Sequence, residues 1–281
     1  MERYVVTLRC VDAPGVIHAM SSALLGTQSN ILEQAQYTDE ATGLFSMRTR
    51  FETPQDDVEE VRTTLVAKMA NFDPIMSLRR EDEQCRVLIM VSQQDHCLAD
   101  LLYRHANGEL PIDIQVIVSN HENLRKLADR HGIPFVFIPV TAKTKEASER
   151  ELLALIDQHA IDVVVLARYM QILSKELCAT LEGRIINIHH SFLPGFKGAR
   201  PYQQAYDRGV KLIGATAHFV TADLDEGPII EQNVHRVQHN HSAADLAEIG
   251  RDVERLVLAR AVRLYAEDRV LLDGQRTVIF A

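Results

Sequence analysis

The chain has 281 residues, 46% hydrophobic and 25% charged, the balance of a folded globular protein with room for one large core or two smaller ones. Its formal charge is −9, and neither the first 85 residues nor the remainder is net basic, so no nucleic-acid partner is expected. No apolar run approaches the roughly 20 residues of a membrane span, and "MERYVVTLRC" lacks the apolar core of a secretion signal, so the expected location is the cytoplasm. Cys10, Cys85, Cys97 and Cys178 are scattered without a CxxC pair and read as free thiols of a reducing compartment.

In chain order, "RYVVTLRCVD" is β-rich and runs into Asp12-Ala13-Pro14-Gly15, a turn. Val16, Ile17, Met20, Ala23 and Leu24 then recur as one helical face. "ILEQAQYTD" and "LFSMRTRFE" flank "EATG", a hairpin signal; "DDVEEVRTTLVAKMANF" is a second amphipathic helix and "IMSLRR" a last strand. With both helices on one face of an antiparallel sheet, this order predicts a small α+β βαββαβ domain over residues 1–83. The order, with Asp-Ala-Pro-Gly closing the first strand, resembles the ACT domain, a small-ligand regulatory module. That resemblance implies paired copies, hence a homo-oligomer (dimer or tetramer), and an amino-acid effector such as glycine or methionine at the shared interface. Asp12, Pro14, Gly15 and Asn30 are the residues it assigns to the effector. A βαββαβ module that merely dimerises is the other reading.

"RREDEQC", residues 79–85, is a charged linker, and from Arg86 the pattern changes. "RVLIMVS" is apolar throughout, as in a strand buried on both faces of a parallel sheet. Helix "HCLADLLYRHA", strand "IDIQVIVSN", helix "ENLRKLADRHG", strand "PFVFIPV", helix "KEASERELLALIDQHA" and strands "DVVVLARY" and "RIINIHHS" follow. This alternation predicts an α/β domain over residues 86–281 with a Rossmann-like, mostly parallel open sheet. "KLIGATAHFV" and "GPIIEQNVHRV" read as an antiparallel extension. Ser242, with Asp245 three residues on, caps a long helix through "AADLAEIGRDVERLVLARAVRLYAED", and a hairpin turning at Asp273-Gly274 closes the chain.

Chemistry concentrates in "INIHHSFLPGFKGARPY", residues 186–202, at the end of a strand, where an open α/β sheet takes its ligands. Residues two apart share a strand face, so Asn187 and His189 point one way while Ile186 and Ile188 face the other layer. Asn187 offers an amide donor and His189 a group that titrates near neutrality. Asp225, in the loop after the next strand, supplies a carboxylate to position the histidine. His190, on the opposite face from His189, is expected to pack against the neighbouring layer. His235, His239 and His241 have no acidic or cysteine partner at ligand spacing, so they read as loop histidines and no metal is expected.

"NIHHSFLPGFKGARPYQQAYDRG" followed by "GATAHFVTADLDEGPII" resembles the folate-dependent formyltransferase family over roughly residues 86–235. Members pass the formyl group of 10-formyltetrahydrofolate to glycinamide ribonucleotide or methionyl-tRNA, or, in a hydrolytic branch, to water. The resemblance implies that Asn187, His189 and Asp225 are catalytic and that His218 lies near the reacting group. It implies a folate substrate, no separate cofactor, and substrate contacts at Met170, Gln171, Leu173, His218 and Val220, with the pterin in the loop "LARYMQILS". Gln171 stands where relatives acting on glycinamide ribonucleotide commonly carry Arg, and Ala222 where a relative carries an acid. Lys197 and Arg200 read either as contacts for the folate glutamate tail or as ordinary surface charge.

The first βα turn departs from the transferases. A ribonucleotide acceptor needs a glycine-rich turn cradling its phosphate at a helix N-terminus, yet no glycine occurs from Val87 to Tyr103 and Gln93, Gln94, Asp95 and His96 crowd the turn. With no acceptor site, water is the remaining nucleophile, and the ACT-like first domain also matches the hydrolytic branch. The expected function is hydrolysis of 10-formyltetrahydrofolate to formate and tetrahydrofolate, balancing one-carbon pools and supplying formate for purine synthesis. Formyl transfer to a small amine, or a non-catalytic folate or amino-acid sensor, are the alternatives.

Overall fold

A computed structural model of the chain describes residues 1–195 and 201–281. β1 (Glu2–Val11), α1 (Val16–Gly26), β2 (Asn30–Asp39), β3 (Leu44–Thr53), α2 (Val58–Met69) and β4 (Ile75–Arg80) follow the order read from the sequence. The four strands pair antiparallel in the order β2-β3-β1-β4, the arrangement of a ferredoxin-like split βαβ pair. Period-2 alternation turns Tyr4, Val6, Leu8 and Cys10 toward Met20, Ala23 and Leu24 of α1 and Val61, Leu65 and Met69 of α2. Ile17, expected on the buried face of α1, is 41% exposed, because the packed stripe is narrower and runs through Val16, Met20, Ala23 and Leu24.

The first compact unit is Met1–Glu83 together with Asp268–Asp273 and Val278–Ala281, and the second is Gln84–Glu267 with Gly274–Thr277. The expected span of 86–281 for the second domain is therefore corrected at its C-terminal end. The physical reason lies in arginines on the β1 and β4 face away from the helices. Arg9 donates to the carbonyl of Leu272 and Arg79 pairs with Asp268, while Arg269 reaches Glu33 at 3.2 Å.

In the second unit β5 (Cys85–Val91), α3 (His96–Ala106), β6 (Ile112–Ser119), α4 (Arg125–Arg130), β7 (Phe135–Phe137), α5 (Lys145–Gln158), β8 (Val163–Leu166), α6 (Lys175–Thr180) and β9 (Ile185–His189) come first. α7 (Pro201–Asp207), β10 (Leu212–Phe219), β11 (Ile229–Arg236), α8 (Ala243–Ala266) and the hairpin strands β12 (Val270–Asp273) and β13 (Arg276–Ile279) follow. The seven-stranded sheet runs β11-β10-β9-β8-β5-β6-β7, parallel from β9 to β7, with β10 and β11 added antiparallel. Val87 to Val91 are all buried, as expected of a strand covered on both faces. β7 is three residues long where seven were expected; Pro134 and Pro139 bound it at the sheet edge and cannot donate to a ladder. α6 and α7 were not anticipated, being too short to display a period.

α8 starts at the expected cap: the Ser242 side chain accepts from the N–H of Asp245, and the Asp245 carboxylate accepts from the N–H of Ser242. Among the described residues no helix is long and apolar enough to cross a membrane.

Candidate active site

β9 sends Ile186 and Ile188 to one side and Ile185, Asn187 and His189 to the side where Ile185 packs with α5 and α6. β10 lies antiparallel to β9 with His218 directly opposite Asn187 and Thr216 opposite His189, so His218 shares their face. The loop after β10 then folds back. Phe219 N–H donates to the Pro228 carbonyl at 2.9 Å, and a Cβ on Gly227 would fall 1.8 Å from the Phe219 carbonyl oxygen, so only glycine closes this loop. Asp225 sits within it at φ 57°, the left-handed region, which turns its carboxylate to the histidines.

The side chains form a directed network. His218 Nδ1 lies 2.8 Å from the Phe219 carbonyl, which only accepts, so this nitrogen carries the proton and donates. Its Nε2 lone pair then accepts from Asn187 Nδ2 at 3.2 Å, which fixes how the amide is turned. Burial holds His218 below the ordinary histidine value, although the Phe219 carbonyl and Asp225 pull upward. His189 Nδ1 faces Asp225 Oδ1 at 3.1 Å and its Nε2 faces Ser191 Oγ at 2.9 Å, while Ser191 donates to the Gly195 carbonyl at 2.8 Å. Burial pushes the Asp225 carboxyl up, but the hydrogen bond and charge of His189 and the nearness of His218 outweigh it, leaving the group below its usual value.

These residues open onto a cleft of about 240 Å³. Pockets for whole drug-sized molecules run to roughly 300–1,000 Å³, so this one takes one end of such a ligand. Every substrate-contact residue expected from the sequence (Met170, Gln171, Leu173, His218 and Val220) lines it with Asn187, His189 and Asp225. The loop carrying Met170 is anchored from β5: Met170 N–H donates to Ser92 Oγ at 3.0 Å, and Ser92 donates to Asn120 Oδ1 at 2.7 Å. Burial, with Glu149 nearby, pushes the Tyr169 phenol up to about 12.

His190 packs edge-on against Tyr202 with ring centroids 6.4 Å apart and also borders the cleft. Burial, then Arg168 and His189, push its imidazole down to about 4, so it is neutral at neutral pH. His235 is an exposed residue of β11, and His239 and His241 lie in the turn after it, where His241 Nδ1 accepts from Gln238 N–H. Lys197 and Arg200 lie outside the described residues.

The four residues assigned to an effector do not come together within one chain. Asp12, Pro14 and Gly15 follow β1, whereas Asn30 pairs with Glu52, which pairs with Arg3 at the start of β1. At about 3.4 Å per residue that separation along the sheet is roughly 27 Å.

Sequence reasoning passed over a second polar group beside the cleft. Glu254 of α8 receives Tyr202 Oη–H at 2.5 Å, His96 Nε2 at 2.8 Å and Arg168 Nε at 3.4 Å. Burial pushes Glu254 up, and these three partners bring it below its ordinary value. The signal available was a glutamate at the buried helical spacing of Leu246, Gly250, Val253, Val257 and Leu258. His96, Cys97 and Glu254 also approach within ligand range of one another, but the guanidinium beside Glu254 already supplies the positive charge a cation would bring, and burial raises the Cys97 thiol, followed by the effect of Glu254.

The sequence profile of the formyl transferase family matches residues 85–262. Over 279 residues the chain is 47% identical to the formyltetrahydrofolate deformylase of Corynebacterium sp. (strain P-1), covering 99% of this chain and 98% of that protein. The chain belongs to the formyl transferase family. Its fold is similar to the crystal structure of formyltetrahydrofolate deformylase from Burkholderia mallei, with a TM-score of 0.97, 47% identity and 100% of each chain covered. It is also similar to glycinamide ribonucleotide transformylase 1 from Symbiobacterium toebii, with a TM-score of 0.67 and 30% identity, but that match spans 73% of this chain and 98% of the other. The likeness to deformylases therefore includes the first unit.

Proposed function

We propose that the chain hydrolyses 10-formyltetrahydrofolate to formate and tetrahydrofolate, with water as the formyl acceptor. The observation that carries this reading is the likeness to formyltetrahydrofolate deformylases over the whole length of the chain. The cleft supplies the chemistry. Asn187 has one amide hydrogen on His218 and a second for the formyl oxygen, and the His189 Nε2–H, which rests on Ser191 Oγ at 2.9 Å, would be shared with the developing oxyanion. Asp225 orients His189 through Oδ1 and binds the attacking water with its other oxygen.

The water oxygen forms a bond to the formyl carbon as the C=O π pair moves to oxygen, and its proton passes to Asp225. When the intermediate collapses, the C–N10 bond breaks, and N10 keeps the electron pair and takes a proton from His189 or a relayed water. The formic acid so formed gives its proton to His189, formate leaves, and Asp225 returns its proton to solvent. Every step is assigned to side chains of the chain itself, and the folate is the substrate, with no separate cofactor. In this reading the enzyme works in the cytoplasm, drawing down formylated folate and supplying formate for purine synthesis.

The deciding experiment is the purified chain with 10-formyltetrahydrofolate and no acceptor. Stoichiometric formate supports the reading, and release only on adding an amine sinks it.

The first unit is proposed to regulate this activity by binding glycine or methionine between two copies of the chain. Asp12, Pro14 and Gly15 of one copy would meet Asn30 of another, since one chain keeps them apart. Calorimetric titration of the full chain with each amino acid tests this, and the absence of heat from both leaves a dimerising module.

A further inference from the structure

We propose that Ser191 is a positioning residue whose hydroxyl turns, keeping His189 Nε2 hydrogen-bonded both before and after that nitrogen gives up its proton. This deepens the hydrolytic reading above and rests on its use of His189 as a proton donor.

The direction of each bond follows from its partners. The Gly195 carbonyl only accepts, so the one hydroxyl hydrogen of Ser191 points to it across 2.8 Å. The Ser191 oxygen then turns a lone pair to His189 Nε2 at 2.9 Å, which places a hydrogen on that nitrogen. Once Nε2 has passed this hydrogen to N10, its own lone pair faces Ser191 and two acceptors meet. Rotation about the Cβ–Oγ bond removes the conflict: the hydroxyl hydrogen leaves the Gly195 carbonyl and points to Nε2. The ring keeps its place, with Nδ1 on Asp225 at 3.1 Å. When formic acid returns a proton to His189, the hydroxyl swings back. Only a group that both donates and accepts can do this. Burial makes the match matter, since His189 is 4% exposed and Ser191 5%, so an unmatched lone pair between them has little solvent to answer it. Gly195 is less buried, so its carbonyl loses less on release.

Two other roles do not fit. Asp225, His189 and Ser191 follow one another as in a Ser-His-Asp triad. Ser191 is not among the residues lining the cleft, however, and its hydrogen points away from the histidine, so it is no nucleophile. Nor is the hydroxyl needed to hold its own loop. Thr216 Oγ1 donates to the Ser191 carbonyl at 3.0 Å and accepts from Leu193 N–H at 3.1 Å. Gln232 Nε2 donates to the Leu193 carbonyl at 3.2 Å, and Gly195 N–H to the Phe192 carbonyl at 2.9 Å. Four bonds fix the turn without the Ser191 side chain, which is left to serve His189.

The test compares full-length Ser191→Ala and Ser191→Thr with the wild type in formate release from 10-formyltetrahydrofolate. Alanine removes the hydroxyl and should lower kcat by roughly 10–100-fold, the worth of one hydrogen bond to a charged group. KM should change by no more than about threefold, since Ser191 does not line the cleft. Threonine keeps the hydroxyl and should turn over faster than alanine by about tenfold or more. Proton NMR without folate gives a readout that a loop-holding role would not move. The His189 Nε2 hydrogen, identified by its absence from His189→Ala, should give a sharp downfield resonance in the wild type. In Ser191→Ala it should be lost to exchange. An alanine variant with kcat within about threefold of the wild type overturns the proposal, as does a slow one that keeps the resonance. A folded threonine variant as slow as alanine also overturns it, and if threonine does not fold, the kcat and resonance of alanine decide. An alanine variant that does not fold assigns Ser191 to folding and overturns the proposal. A wild type that releases no formate sinks the hydrolytic reading, while the resonance still decides the bond between His189 and Ser191.

Discussion

Asn187 donates its side-chain amide to Nε2 of His218 across 3.2 Å, and the bond has one direction because His218 Nδ1 is committed to the Phe219 carbonyl. A neutral, buried histidine thus acts as a rigid acceptor that aims the second amide hydrogen of Asn187 into the cleft. Asn187→Ala should lower kcat by about 10²–10³-fold, the typical cost of one oxyanion donor, with KM changed only a few-fold. Steady-state formate release measures both, and a loss below tenfold removes Asn187 from the transition state.

Asp225→Asn keeps the size of the side chain and removes the charge facing His189. Turnover should fall by roughly 10²–10⁴-fold, the range of a positioned acid–base group. The sign of the pH effect follows from the depressed carboxyl. Its stabilisation is complete above the ordinary value of 3.8 and is lost as pH falls through the lower folded value. The Tm gap between wild type and variant should hold from pH 7 to pH 5 and close only in stronger acid. A gap already closed at pH 5 would contradict the His189–Asp225 pairing.

The fold and the grouping of Asn187, His189 and Asp225 at one cleft were legible where a short period or a familiar motif carried the information. Ser242 and Asp245 announced α8, and the period of two put Asn187 and His189 on one face. Asp225 needed the motif, since nothing local says that its loop folds back. The rest depended on partners far apart in sequence. Glu254 reads as one charge on a helix until Arg168 and Tyr202 reach it, and residues 268–273 and 278–281 join the first unit, with Arg9 on Leu272 and Arg79 on Asp268. Asn30 was grouped with Asp12 by resemblance, whereas strand register sets them at opposite ends of the sheet.

His190 predicts a separate acid sensitivity. Its imidazole is pushed down from 6.5 to about 4, so below pH 6.5 the unfolded chain takes up a proton that the folded chain refuses. Stability is therefore intact above pH 6.5 and falls as pH drops toward 4, by up to roughly 3 kcal/mol from this residue. His190→Phe keeps an aromatic ring beside Tyr202 and removes the titration. Urea unfolding at pH 7.5, 6 and 5 should show the wild type losing more stability than the variant, and equal losses would refute the assignment.

Gly250 gives the sharpest test of packing in α8, because two effects predict opposite signs. Helix propensity alone makes Gly→Ala stabilising by about 1 kcal/mol at a helix interior. Here the added methyl would lie 2.1 Å from Tyr202 Cζ and 2.2 Å from its hydroxyl, so the ring must leave its seat. Overpacking of this kind costs about 1–3 kcal/mol, and the Glu254 bond to Tyr202 goes with it. Gly250→Ala should be net destabilising in urea unfolding. In a Tyr202→Ala background the clash is gone, and the same substitution should turn neutral or stabilising, a coupling that a double-mutant cycle reads directly. Equal effects in both backgrounds would mean that Tyr202 does not rest against Gly250.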